Sequence, residues 1–185
     1  MKSTLRENYK ILLFLSVILI TMAGLTLKII FDKHTFVNES TREIFSDKED
    51  DSTYYTDLAG NKVSLEQYLG RIMVVNSWAS WSPFSVTELT SLQKLAEKYN
   101  TNEVVFLAIN RKESKDQAQR FVNTLPELTS IEVVIDVDDH FYTSVGGYAM
   151  PETIIYDKTG NIIEHIHGTF KEEIVGGRID ELLNN

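Results

Sequence analysis

Ser82 and Ser85 are the residues around which any chemistry of this chain must be argued. They lie in the stretch WASWSPFSVTEL, Trp78 to Leu89, separated by Pro83 and Phe84, between the β-prone run Ile72-Met73-Val74-Val75 and a helical pattern. A serine at the start of a helix either accepts a backbone N–H as its N-cap or, with a base beside it, acts as a nucleophile. The histidines are His34, His140, His165 and His167, and no spacing in the sequence sets one of them beside Ser82. The N-cap is therefore the expected role of Ser82. Pro83 suits the first helical turn, where its missing N–H would have no partner anyway. Glu88 falls early in the same helix, where an acid complements the positive end of the helix dipole. His165 and His167 are two apart, so a strand would present both imidazoles on one face as a possible metal pair. No third ligand stands out, so a solvated strand face is expected, with no metal and no cofactor assigned.

These residues must be held by an alternation of strands and helices. Tyr54–Asp57 and Lys62-Val63 flank a turn and read as a hairpin. Ser64-Leu65-Glu66 opens a short helical turn that Gly70 closes. Ile72–Ser77 is a continuous apolar strand of the kind buried on both faces of a sheet. Leu89, Leu92, Leu95 and Ala96 recur at helical spacing over Glu88–Tyr99. Val104–Ile109 is a second buried strand, and Lys112–Leu125 a polar helix ended by Pro126. Glu132–Asp136, a short helix near Asp139–Val145 and a Gly146-Gly147 break follow. Met150–Tyr156 and Ile162–His167 form a hairpin through Lys158-Thr159-Gly160-Asn161. Phe170–Leu183 has a helical pattern, but Gly176-Gly177 in its middle, at about 1 kcal/mol each against alanine, predicts a kink or frayed end. The order gives an α/β fold with a mixed central β-sheet flanked by helices.

The chain has 185 residues, 43% of them hydrophobic, a net charge of -9 and no cysteine. One core of useful size is within reach. The acidic balance argues against a nucleic-acid partner. The absence of cysteine removes disulfides, thiolate metal sites and thiol catalysis. Residues 11–30, ILLFLSVILITMAGLTLKII, carry one charge, Lys28. At about 1.5 Å per residue they span a hydrocarbon core of roughly 30 Å. Lys2, Arg6 and Lys10 precede them, which places residues 1–10 in the cytoplasm and the rest on the extracytoplasmic side of the plasma membrane. A cleaved signal peptide is the competing reading, against which the long apolar run counts. Residues 31–52 are polar and read as a tether, leaving 53–185 as the folded domain.

WASWSPFS after the first buried strand, and MPETIIYDKTGNI before the last hairpin, resemble the thioredoxin superfamily. The closest resemblance is to its membrane-anchored TlpA/ResA-type thioredoxin-like (redoxin) branch, over roughly Tyr54 to Phe170. The family carries W-x-x-W-C-x-x-C where this chain has Trp78 through Ser85. Its proline opposite the redox pair, normally after a cis peptide bond, corresponds to Pro151, and the pattern that follows runs from Glu152 to Gly160. The acid with which the branch tunes its cysteines corresponds to Glu88.

The resemblance implies a thioredoxin-like fold preceded by one transmembrane helix. It also implies a family activity, thiol-disulfide exchange in exported proteins, cytochrome maturation included. A serine hydroxyl neither ionises at neutral pH nor exchanges a disulfide, so that activity does not carry over with Ser82 and Ser85 in the redox positions. The expected function is then non-catalytic. An extended peptide or exported protein partner would bind in the former active-site groove, against Trp81, Pro83, Phe84, Glu88, Met150 and Pro151. The alternative is a cysteine-less variant of a working TlpA/ResA-type oxidoreductase, and a third is a structural subunit of a membrane complex. Trp78 is expected in the core, while Trp81 and Phe84 are open between core and contact surface.

Overall fold

The run of β-branched and apolar residues from Ile72 onward forms the centre of the molecule, as a continuous hydrophobic strand should. In the computed structural model, which describes residues 55–184, this is strand β3 (Ile72–Trp78), buried along its whole length. β1 (Tyr55–Asp57) and β2 (Lys62–Val63) form the expected first hairpin. β4 (Val104–Arg111) and β5 (Glu132–Asp136) run parallel to β3, β6 (Glu152–Tyr156) is antiparallel to β3, and β7 (Ile162–His167) is antiparallel to β6. The seven strands lie in the order β2-β1-β5-β4-β3-β6-β7. This is the mixed central sheet that the sequence implied. Residues 1–10, 11–30 and 31–52, read as cytoplasmic terminus, membrane span and tether, lie outside the described residues. Among those described, no helix is long and apolar enough to cross a membrane.

Strand periodicity divides the core between the two faces of the sheet. Ile72, Val74 and Trp78 of β3 share one face with Phe106, Ala108, Val133, Ile135 and Ile155. Helices α1 (Ser85–Ala96) and α4 (Glu172–Leu183) cover it with Leu89, Leu92, Leu95, Val175 and Ile179, and α2 (Lys115–Val122) adds Ala118. Met73, Val75, Leu107, Ile109, Val134, Ile154 and Tyr156 line the opposite face under Leu65, Tyr68 and Phe141, the last from α3 (His140–Ser144).

Element boundaries differ from expectation where a local bond or a backbone angle decides them. α1 starts three residues earlier than the apolar spacing suggests and ends at Ala96. α2 starts at Lys115 because Ser114 caps it, its side chain accepting the Gln117 N–H, while Lys112 has a positive φ of 56° that no helix admits. The kink expected at Gly176-Gly177 does not occur, and α4 is continuous. A Cβ at Gly176 would meet the Tyr99 hydroxyl at 3.3 Å and Leu95 at 3.5 Å. The missing side chain thus lets α4 lie close against α1, and that packing offsets the low helix propensity of glycine.

Candidate functional site

β3 delivers the chain into the loop that carries both serines. Trp78, its last residue, is fully buried, donates Nε1–H to the Ala108 carbonyl at 3.2 Å, and packs its ring against Phe121 at 5.3 Å. After it the loop turns tightly, Ser82 N–H bonding to Ala79 O and Ser85 N–H to Ser82 O. Ser82 does not act as the expected N-cap. The helix begins at Ser85, its N-cap is Phe84 with no side-chain bond, and Ser82 Oγ is buried without a hydrogen bond. The loop closes through the other serine, whose Oγ donates to the Ala79 carbonyl at 2.7 Å. Ser82→Ala is therefore expected to stabilise the fold by about 1 kcal/mol, and Ser85→Ala to destabilise it by a similar amount. Urea denaturation of the two variants measures this, and equal effects would contradict the assignment.

Trp81 and Phe84 face outward, 62% and 51% exposed, and Pro83 between them is also exposed. Two large aromatic side chains therefore flank the serines on the surface.

Glu88 lies beneath this surface. It is the acid of the first turn of α1, as expected, but it is buried rather than open to the groove, and burial pushes its carboxyl from 4.5 up to about 7. The N–H of Phe170 and the Asn76 amide, each 3.3 Å from Oε1, reduce the rise without cancelling it. Asn76 in turn donates to Thr153 Oγ1 at 2.9 Å. β3 and β6 set Asn76 opposite Thr153, so the acid is held by the end of a strand pair.

A second buried acid escaped the sequence reading. Glu113 accepts from Ser80 N–H at 2.8 Å, from the Ser80 hydroxyl, and from the amides of Asn110 and Gln117 at 2.6 Å each. It ties the Trp78–Trp81 turn to the end of β4. A polar residue just beyond a buried strand is the one signal that pointed to it.

The β3–β6 register Ser77↔Glu152 sets Pro151 beside the chain leaving β3. The Met150–Pro151 peptide bond is cis, as the resemblance implied. Met150 is half-buried, and among the described residues no hydrogen bond reaches its main-chain N–H or C=O.

Glu152 is fully buried on the face of the sheet opposite Glu88. Oε1 accepts the N–H groups of Tyr148 at 2.8 Å and Ala149 at 2.6 Å and lies 2.9 Å from His167 Nδ1, while Oε2 lies 2.8 Å from His165 Nε2. Burial alone would raise this carboxyl, but the Ala149 N–H, the two rings and the Tyr148 N–H more than reverse that and leave it below its usual range. His165 moves down because burial outweighs the attraction of Glu152. The solvated strand face expected at His165 and His167 is found in part: the rings reach solvent, and both also close on a buried carboxylate that the sequence placed thirteen residues from the first of them.

A model of the Redoxin family matches residues 41–181. The thiol-disulfide oxidoreductase ResA of Bacillus thuringiensis subsp. konkukian is 26% identical over 162 residues, covering 88% of this chain and 91% of that protein. Many solved structures share the fold, two of them extracytoplasmic by name. The exposed lipoprotein thioredoxin of Streptococcus pneumoniae has a TM-score of 0.63 at 18% identity, covering 70% of this chain and 98% of that one. A secreted disulfide oxidoreductase of Mycobacterium tuberculosis, homologous to E. coli DsbE, has a TM-score of 0.60 at 21% identity, covering 70% and 95%.

Proposed function

The chain belongs to the Redoxin family and is a thioredoxin-like protein of the TlpA/ResA type, and from that premise we propose that it is a membrane-anchored, extracytoplasmic binding protein without thiol-disulfide activity. Its ligand is an extended polypeptide lying along Trp81, Phe84, Met150 and Pro151. The observation that carries this reading is an exposed aromatic pair beside a redox position that holds no sulfur. An extended segment can pair its main chain with the free N–H and C=O of Met150, which is binding by strand addition and needs no cysteine. Trp81 and Phe84 supply the apolar contact that such a peptide needs in order to stay. The location rests on the apolar residues 11–30 behind Lys2, Arg6 and Lys10. The words "exposed lipoprotein" and "secreted" in the names of its structural neighbours agree with it. Lipidation at a cysteine is closed to this chain, so the span itself is the anchor.

The test uses the full chain in detergent and a reduced, alkylated unfolded polypeptide as probe. Saturable, non-covalent binding is expected, with Trp81→Ala/Phe84→Ala weakening it by at least about tenfold, since two exposed aromatic anchors typically carry 1 kcal/mol or more each. Binding unchanged in the double variant would overturn the groove reading. Reduction of insulin disulfides by the unaltered chain would overturn the claim of inactivity.

A second reading, a TlpA/ResA-type oxidoreductase in cysteine-less form, is favoured by one observation. The Ser82 hydroxyl is buried without a hydrogen bond, an environment that suits a thiol, a weak donor and small hydrophobe, better than an alcohol.

A further inference from the structure

β7 pairs with β6 so that His167 stands opposite Glu152 and His165 opposite Ile154. Because side chains alternate along a strand, residues 165 and 167 project from the same face as Glu152. His167 meets the carboxylate directly and His165 meets it on the diagonal, a reach that long cross-strand side chains have. The sequence alone offered the two histidines without a third ligand, and the register supplies it.

We infer that Glu152, His165 and His167 form a binding site for a divalent transition cation of the zinc class. One ligand atom from each residue can be chosen so that all three lie within 4.8 Å of one another. The separations from carboxylate oxygen to imidazole nitrogen are 2.8 and 2.9 Å, hydrogen-bond distances that need to open by only about 0.5 Å to reach the roughly 3.3–3.6 Å between tetrahedral ligands at bond lengths of 2.0–2.2 Å. Two imidazoles and one carboxylate are a donor set that zinc accepts while keeping a position open for water or a substrate atom. The carboxylate is already oriented from behind by the Tyr148 and Ala149 N–H groups, the kind of outer contact that fixes a metal ligand in place. The imidazoles reach the surface, their side chains 18% and 29% exposed, and the exposed Tyr148 ring stacks on His167 at 4.0 Å. A cation can therefore enter from solvent, with the tyrosine as a side wall.

The other buried acids differ in kind. Asp139 is closed by the Arg111 guanidinium, and Glu113 by amide and hydroxyl donors that cannot ligate through a nitrogen lone pair. Only at Glu152, among the buried acids of the described residues, does the partner set include imidazoles that would exchange a hydrogen bond for a metal bond. The site also adjoins Met150-Pro151, and Glu152 holds the two N–H groups of the segment leading into that proline. A bound cation would stiffen the segment.

Zinc titration of the full chain in detergent, followed by calorimetry and by the visible spectrum of a cobalt(II) substitute, tests the proposal. The expected result is one equivalent per chain, a cobalt spectrum typical of low coordination number, and a rise in melting temperature with zinc. His165→Gln and His167→Gln, each partly exposed, are expected to weaken binding by more than the roughly 10–100-fold that follows loss of an outer contact. His140→Gln, at an exposed position, should leave it unchanged. Glu152→Gln is the third ligand variant, and the two histidine variants decide the matter if it fails to fold. Absence of stoichiometric binding, or binding that survives both histidine substitutions, would overturn the site.

Discussion

Glu88→Gln is expected to raise the stability of the domain at about pH 8 by roughly 2–3 kcal/mol while changing it by less than about 1 kcal/mol at pH 4.5. The carboxyl titrates near 4.5 in the unfolded chain and, because it is buried, near 7 in the folded one. Between those values the folded state holds one proton more than the unfolded state. Stability therefore falls as pH rises through this window, by about 1.4 kcal/mol per unit, and the loss is complete above the folded value. A glutamine cannot lose that proton. Its Oε1 can keep both bonds that Glu88 Oε1 accepts, from the Phe170 N–H and from the Asn76 amide. The check is urea denaturation of parent and variant from about pH 4.5 to 8.5, with the difference between the curves isolating this residue from the other acids. Parallel curves would show that Glu88 titrates in the ordinary range and is solvated.

What could be read in the sequence follows from how locally each feature is determined. β3, β4 and β5 were readable because a buried parallel strand is a continuous apolar run, and the cis bond at Pro151 followed from the MPETIIYDKTG resemblance rather than from any period. The start of α1 was misplaced because Pro83 and Phe84 occupy a turn that apolar spacing does not register. Gly176-Gly177 misled because the reason for a glycine lies in Leu95, on another helix, and in Tyr99 just beyond that helix. Ser82 and Glu88 misled in the same way. At a helix start each has an ordinary surface role, and only the packing of Phe170 and of the loop over them shows that both are buried. The Glu152–His165–His167 cluster needed the β6–β7 register, and Glu113 needed the return of the β4 end to the Trp78–Trp81 turn.

Ser82→Cys/Ser85→Cys is expected to convert a chain with no disulfide chemistry into one that reduces insulin disulfides with dithiothreitol as the recycling reductant. The Ser85 N–H to Ser82 O bond of 3.2 Å closes a turn whose end Cα atoms lie within about 7 Å, overlapping the roughly 4.4–6.8 Å that a disulfide requires. Sulfur at position 82 replaces a hydroxyl that has no hydrogen bond. Sulfur at position 85 gives up the bond to Ala79, at about 1 kcal/mol, so the fold should tolerate both. The position before α1 also favours a thiolate, because the helix dipole stabilises negative charge there. In turnover the thiolate attacks a substrate sulfur, a mixed disulfide forms, and the second thiol displaces the reduced substrate as the internal disulfide closes. Ser82→Cys alone lacks that second step and should stall as a mixed disulfide, which makes it a trap for the partner that the groove holds. Activity in the double variant only would mean that the scaffold kept everything but sulfur, so that the two serines alone make the unaltered chain inactive. A folded double variant that forms its disulfide yet does not turn over would mean that the surrounding surface has diverged from exchange chemistry, and the binding protein would remain.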